Sequence, residues 1–166
     1  EDGISFDTKR SDGNINDGFS IPAELIPSEI ISEDIRFVIG NKADGQMNVL
    51  AAMGQKIGLP SGNYNKVYLL AAASEDTEGE FKAANLTTRI KIQNWTGFVG
   101  QHYNRVLYFK DLKVASINPA FTTRDNIAWY ASHSHSANAN EAYRYSYIYK
   151  YEIPLPKGTR SLTLPD

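Results

Sequence analysis

Five tyrosines, Tyr143, Tyr145, Tyr147, Tyr149 and Tyr151, recur at every second position near the end of this chain, and Arg144, Ser146, Ile148, Lys150 and Glu152 alternate with them. A helix advances about 100° per residue and would scatter these phenols around its axis, whereas a strand alternates and puts all five on one face. The segment Tyr143–Ile153 therefore reads as a long β-strand with an aromatic face. A strand of that length needs neighbours along its edges and a layer over its phenols, which points the whole chain toward an all-β architecture.

Other segments have the same character. Ile35–Ile39 alternates, with Ile35, Phe37 and Ile39 on one face. Lys66–Ala73 is nearly continuously apolar, the pattern of a central strand covered on both faces. Thr87–Trp95 alternates, with Thr88, Ile90, Ile92 and Asn94 opposite Arg89, Lys91, Gln93 and Trp95. Arg105–Phe109 and Asn126–Ser132 read as strands too. Between them lie Asp12-Gly13, Asp17-Gly18, Asp44-Gly45, Ser61-Gly62 and Lys157-Gly158, dipeptides that favour turns. Helix signals are confined to Pro22–Glu33, where room exists for a turn or two and Pro27 interrupts. About nine short strands with such punctuation predict an antiparallel two-sheet β-sandwich. The 166 residues make one domain, 1–166, able to bury about 70% of its unfolded surface without a metal or a disulfide.

Composition narrows the function. Lys plus Arg is 17 against 19 for Asp plus Glu, which argues against a nucleic-acid footprint. Cysteine is absent, removing disulfides, thiol catalysis and cysteine-bound zinc. No apolar run reaches the ~20 residues of a membrane-spanning helix. A chain beginning at Glu1 reads as a mature protein or an excised domain.

Three groups of residues carry chemistry. Asp12, Asn14 and Asn16 offer oxygens at alternate positions, as a structural calcium loop would, although Asp17 and Ala23 stand where an EF-hand needs glycine and glutamate; a polar turn is the simpler reading. His133 and His135 point to one face of a strand, and a metal there needs a third ligand, for which His102 and Glu141 are the candidates. No spacing marks a carboxylate pair flanking a glycosidic bond, and no nucleophile elbow or phosphate loop occurs. Finally, Trp95 and Tyr103 suit stacking on sugar rings, with His133, His135, Asn140 and Glu141 as polar contacts to hydroxyls. Trp129 reads as core, because Ile127 and Ala131 share its face. The tyrosine ladder reads as partly buried, with the remainder meeting solvent or a partner.

Several phrases also stand in a familiar order: Asp2-Gly3-Ile4, Pro22-Ala23-Glu24-Leu25, Ala43-Asp44-Gly45, Gly54-Gln55, Leu59-Pro60-Ser61-Gly62-Asn63-Tyr64, Leu69-Leu70-Ala71-Ala72-Ala73, Trp95-Thr96-Gly97-Phe98-Val99-Gly100-Gln101, Asn126-Ile127-Ala128-Trp129-Tyr130-Ala131-Ser132-His133 with His135, and Asn140-Glu141-Ala142-Tyr143-Arg144-Tyr145-Ser146-Tyr147. Together they resemble the C-terminal, non-catalytic β-sandwich region of Bacteroides-type α-mannosidase-like glycoside hydrolases. The segment His102-Tyr103-Asn104-Arg105 departs from the tryptophan- and acid-rich phrase of those relatives. The resemblance implies a galactose-binding-like jelly roll that is exported to the periplasm, the cell surface or the medium, and that is excised from or accessory to a larger hydrolase. It implies a glycan or oligosaccharide and the parent's catalytic domain as partners, and no catalytic residue in this chain. The resulting expectation is a carbohydrate-binding or accessory domain. Two rivals stay open: a purely structural sandwich packed on a catalytic domain, and a small metal-dependent enzyme using His133, His135 and Glu141.

Overall fold

A computed structural model describes residues 1–97, 106–118 and 126–166. The described chain is built from strands: β1 (Ile4–Ser5), β2 (Ile21–Pro22), β3 (Glu29–Ser32), β4 (Ile35–Val38), β5 (Lys56–Gly58), β6 (Lys66–Ala71), β7 (Thr77–Ala83), β8 (Leu86–Ile92), β9 (Thr96–Gly97), β10 (Val106–Lys110), β11 (Lys113–Asn118), β12 (Ile127–His135), β13 (Asn140–Pro154) and β14 (Ser161–Thr163). Two 3-10 turns, Asp7–Lys9 and Ala23–Leu25, are the helical content among the described residues. No helix among them is long and apolar enough to cross a membrane.

The long strand β13 organises the rest. It pairs with β12 on one side and with β6 and β9 on the other, all antiparallel. A second sheet runs β5-β14-β7-β8. Between the two sheets lies one core, formed by Phe81, Ala83, Ile92, Ile153, Leu155, Leu162 and Leu164, with Val67, Leu69 and Tyr151 packed against it. Tyr151 pairs with Leu69 and Ile153 with Val67, so the ladder face of β13 supplies this core. The opposite face feeds a second core: Ile148 and its cross-strand partner Trp129 pack on Ile4, Ile21, Ala23, Ile26 and Trp95. The N-terminal segment and the β3–β4 hairpin thus cover the back of the central sheet. The result is the all-β sandwich expected from the strand pattern, with an added N-terminal layer.

Details differ from the sequence reading. Within Pro22–Glu33 one 3-10 turn is followed directly by β3, so Pro27 precedes a strand. β6 ends the path β12-β13-β6 and has no strand on its second edge among the described residues, beyond a single bridge at Ala73–Asn94; its six residues are half-buried. Two irregularities lie in the β12–β13 pair. Between Ile127 and Trp129 the register shifts by one, since Tyr149 and Ile148 are their partners, and this turns Ile127 away from the face of Trp129. Between Ala131 and His133, three residues of β13, Tyr143–Tyr145, stand against Ser132 alone, with Tyr143 at φ 66°. The ladder is therefore broken at its start: Tyr147 and Tyr149 are buried, whereas Tyr143 is 76% exposed.

Candidate functional site

The end of β12 holds the densest polar cluster. His133 and His135 flank Ser134 and share a face, as strand alternation requires, with ring centroids 5.4 Å apart. The N-terminal segment reaches them because Ser20 bridges His135: the Ser20 N–H donates to the His135 carbonyl at 3.0 Å and the His135 N–H donates back at 2.9 Å. β1 runs parallel to β2, with Ser5 opposite Pro22. Asp7 and Glu24 each follow that pair by the same two residues, in the 3-10 turns leaving each strand. Parallel register therefore delivers two carboxylates to the histidine face.

His135 is fully buried. Its Nδ1 lies 3.0 Å from Ser5 Oγ, which is 2.6 Å from Ser20 Oγ. Its Nε2 lies 3.0 Å from Glu24 Oε1 and 3.3 Å from Asp7 Oδ1. His133 Nε2 stands 3.7 Å from the same Glu24 oxygen; that nitrogen is buried and has no hydrogen-bond partner. The His133 Nδ1 lies 3.3 Å from Ser132 Oγ. Asn140, opposite His135 across the ladder, accepts from Arg10 Nε at 2.6 Å, and Arg10 also donates to Asp7 at 2.8 Å. The hydrogen bond from Asn140, with the charge of Arg10, holds the Asp7 carboxyl below its usual range against a smaller opposing effect of desolvation. Imidazoles beside carboxylates, with one side open through the half-exposed Asp7, are donors that suit a divalent cation.

Of the residues expected from sequence, His133, His135 and Asn140 meet here. Glu141 does not join them. It pairs with Ser134, which puts it on the opposite face of the strand pair from the imidazoles, and Glu24 takes the third position instead. Trp95 is 1% exposed, packed in the N-terminal core beneath the Arg144 guanidinium, so its ring is no platform for a sugar. Its place after β8 suggested a rim; the chain instead turns inward there, where the Trp95 N–H donates to Ala73 and its carbonyl accepts from Tyr147. Tyr103, with His102, lies outside the described residues. Asp12 bonds Lys9 at 2.9 Å and the Gly45 N–H, and Asn14 accepts from Gly18 N–H at 3.0 Å. Asn16 forms a bridge with Phe19. These are the contacts of a polar turn, and they take up the oxygens of Asp12 and Asn14 proposed for calcium.

Asp7, Glu24, Ser5 and Ser20 were not singled out by sequence. Glu24 is separated from His135 by 111 residues, and no local spacing relates the two.

An all-β sandwich carrying a cluster of a buried histidine with a second histidine and more exposed carboxylates, where its N-terminal layer meets the central sheet, is the class that fold and site define. The sequence model of the AziU2-like beta-sandwich domain matches residues 1–166, and the chain belongs to that family. No curated protein matches the chain.

Proposed function

We propose that the chain is a non-catalytic accessory module that docks on a partner protein through the ribbon formed by β10 and β11. One observation carries this. The ribbon pairs with no other strand among the described residues, and it holds Leu107, Tyr108, Phe109, Leu112, Val114 and Ile117 in solvent, Phe109 at 65% and Leu112 at 99% exposure. A lone two-stranded ribbon is marginal in water, and clustered exposed apolar side chains are the mark of an interaction surface. Lys110 and Lys113, paired across the tip, favour a partner face that is apolar at its centre and acidic at its rim.

The resemblance to glycoside-hydrolase sandwich regions supports a catalytic partner that degrades glycans and an exported setting. It also supports the absence of hydrolysis by this chain, as does the position of Glu141 on the face away from the histidines. The test is co-purification of the tagged chain from its native host. A glycan-degrading enzyme should accompany it and be lost from a folded Phe109→Asp, Leu112→Asp variant. Self-association through the ribbon, or an undiminished complex in that variant, would overturn the reading.

Direct glycan recognition is a second reading, favoured by Tyr130 and Tyr143, both well exposed on the β12–β13 pair, with Glu141 on the Tyr130 face. A glycan array should then show weak binding, on the order of micromolar to millimolar. Tyr130→Ala should reduce it; a silent array, or binding unchanged in Tyr130→Ala, would remove this reading.

A further inference from the structure

We infer that His133, His135 and Glu24, with Asp7 beside them at the mouth, form a binding site for a first-row divalent transition-metal ion, zinc foremost, which ties the N-terminal layer to the central sheet. This stands apart from the docking ribbon and does not rest on it.

The distances suit an ion. Zinc bonds of about 2.05 Å in a tetrahedron separate neighbouring donor atoms by about 3.3 Å. The separations here are 3.0 Å for His135–Glu24, 3.3 Å for His135–Asp7 and 3.7 Å for His133–Glu24. The Glu24, His133 and His135 donors all lie within 4.8 Å of one another.

The hydrogen bonding suits one as well. Each imidazole has its Nδ1 beside a serine hydroxyl, Ser5 for His135 and Ser132 for His133, while each Nε2 turns toward Glu24. A neutral ring that donates its Nδ1–H to a hydroxyl presents a lone pair at Nε2, as a metal ligand must. Without a cation, the His133 Nε2 is left buried, 3.7 Å from Glu24, with no hydrogen bond. An ion between them would satisfy His133, His135 and Glu24 at once, leaving a fourth position toward Asp7. Arg10 and Asn140 brace Asp7 from behind, and the half-exposed Asp7 leaves a path for entry. Two imidazoles with the Glu24 carboxylate select a borderline transition ion over calcium or magnesium, which prefer all-oxygen shells.

The experiment strips the purified chain with a chelator and titrates it with zinc by equilibrium dialysis, then with cobalt(II) as a visible-absorption probe. One ion per chain is expected, with d–d bands of a nitrogen- and oxygen-ligated cobalt and a raised melting temperature. Because His135 is sealed in the protein, the test substitutions are His133→Ala and Glu24→Gln at partly exposed positions. Each should weaken zinc binding more than about tenfold and change the cobalt spectrum, while the far-UV spectrum of the apo form stays that of the wild type. Glu141→Gln, on the other face, should bind as the wild type does. No stoichiometric zinc or cobalt on the wild type, as a proton shared between His135 and the carboxylates would give, overturns the site. So does binding unchanged in Glu24→Gln.

Discussion

At the scale of single residues, alternation states which side of a strand a residue occupies but not what covers that side. Trp95 and Tyr147 show this. Both follow simple patterns in the sequence, and both are shut inside the protein. Trp95→Ala would open a large cavity in the N-terminal core. The expected cost is about 3–5 kcal/mol, read as a lower urea midpoint; a variant as stable as the wild type would contradict the packing. Tyr147 gives a pH signature. Burial, followed by the nearby Tyr145, pushes its phenol up to about 12 from an ordinary 10.0, and its hydroxyl donates to the Gly97 carbonyl at 3.2 Å. A raised folded value favours the neutral phenol in the native state. The associated stability is therefore complete below pH 10 and is lost as pH rises from there toward 12. Stability measured across that window should fall less steeply in Tyr147→Phe than in the wild type.

At the scale of elements, the strand pattern of Thr87–Trp95 was legible: Thr88, Ile90 and Ile92 are the more buried positions of β8. The β12–β13 pair was legible only in part. Its two register shifts are set by how the strands meet, and nothing local in Ala128 or Tyr143–Tyr145 announces them. The same holds for Lys150. Its position on the non-tyrosine face was readable, but its partners come from the β3–β4 hairpin: its ammonium donates to the Ser32 carbonyl at 3.3 Å and pairs with Glu33. Glu33 sits in the tight turn of that hairpin at φ 45°. The Lys150 hydrogen bond and charge hold the Glu33 carboxyl below its usual 4.5. Its contribution is thus present above about pH 4.5 and is lost as pH falls through the lowered value. Lys150 is the buried member of the pair, so Glu33→Ala strands a charge, whereas Lys150→Met removes it and keeps the volume. Lys150→Met should cost less than Glu33→Ala in denaturant midpoint at pH 7. The reverse order would mean that the pair, rather than the buried charge, dominates.

At the scale of the whole molecule, the sandwich was legible because strand period and turn chemistry are local. The N-terminal layer and its histidine–carboxylate cluster were not, because they depend on the meeting of residues more than a hundred positions apart. The two cores should nevertheless unfold as one cooperative unit. β13 gives Ile153 to the inter-sheet core and Ile148 to the N-terminal core within a single strand. Melting either core removes support from one face of that strand, so the other cannot persist alone. Both tryptophans lie against the N-terminal core, and the inter-sheet core has none. Tryptophan emission and far-UV circular dichroism therefore sample different parts of the protein, yet their urea transitions should coincide. Leu162→Ala offers the sharper form of the test. Leu162 is fully buried in the inter-sheet core, remote in the packing from either indole. Its truncation should cost about 2–5 kcal/mol and shift both transitions by the same amount. A fluorescence midpoint that stays in place while the dichroism midpoint moves would mean that the N-terminal layer folds independently of the sandwich beneath it.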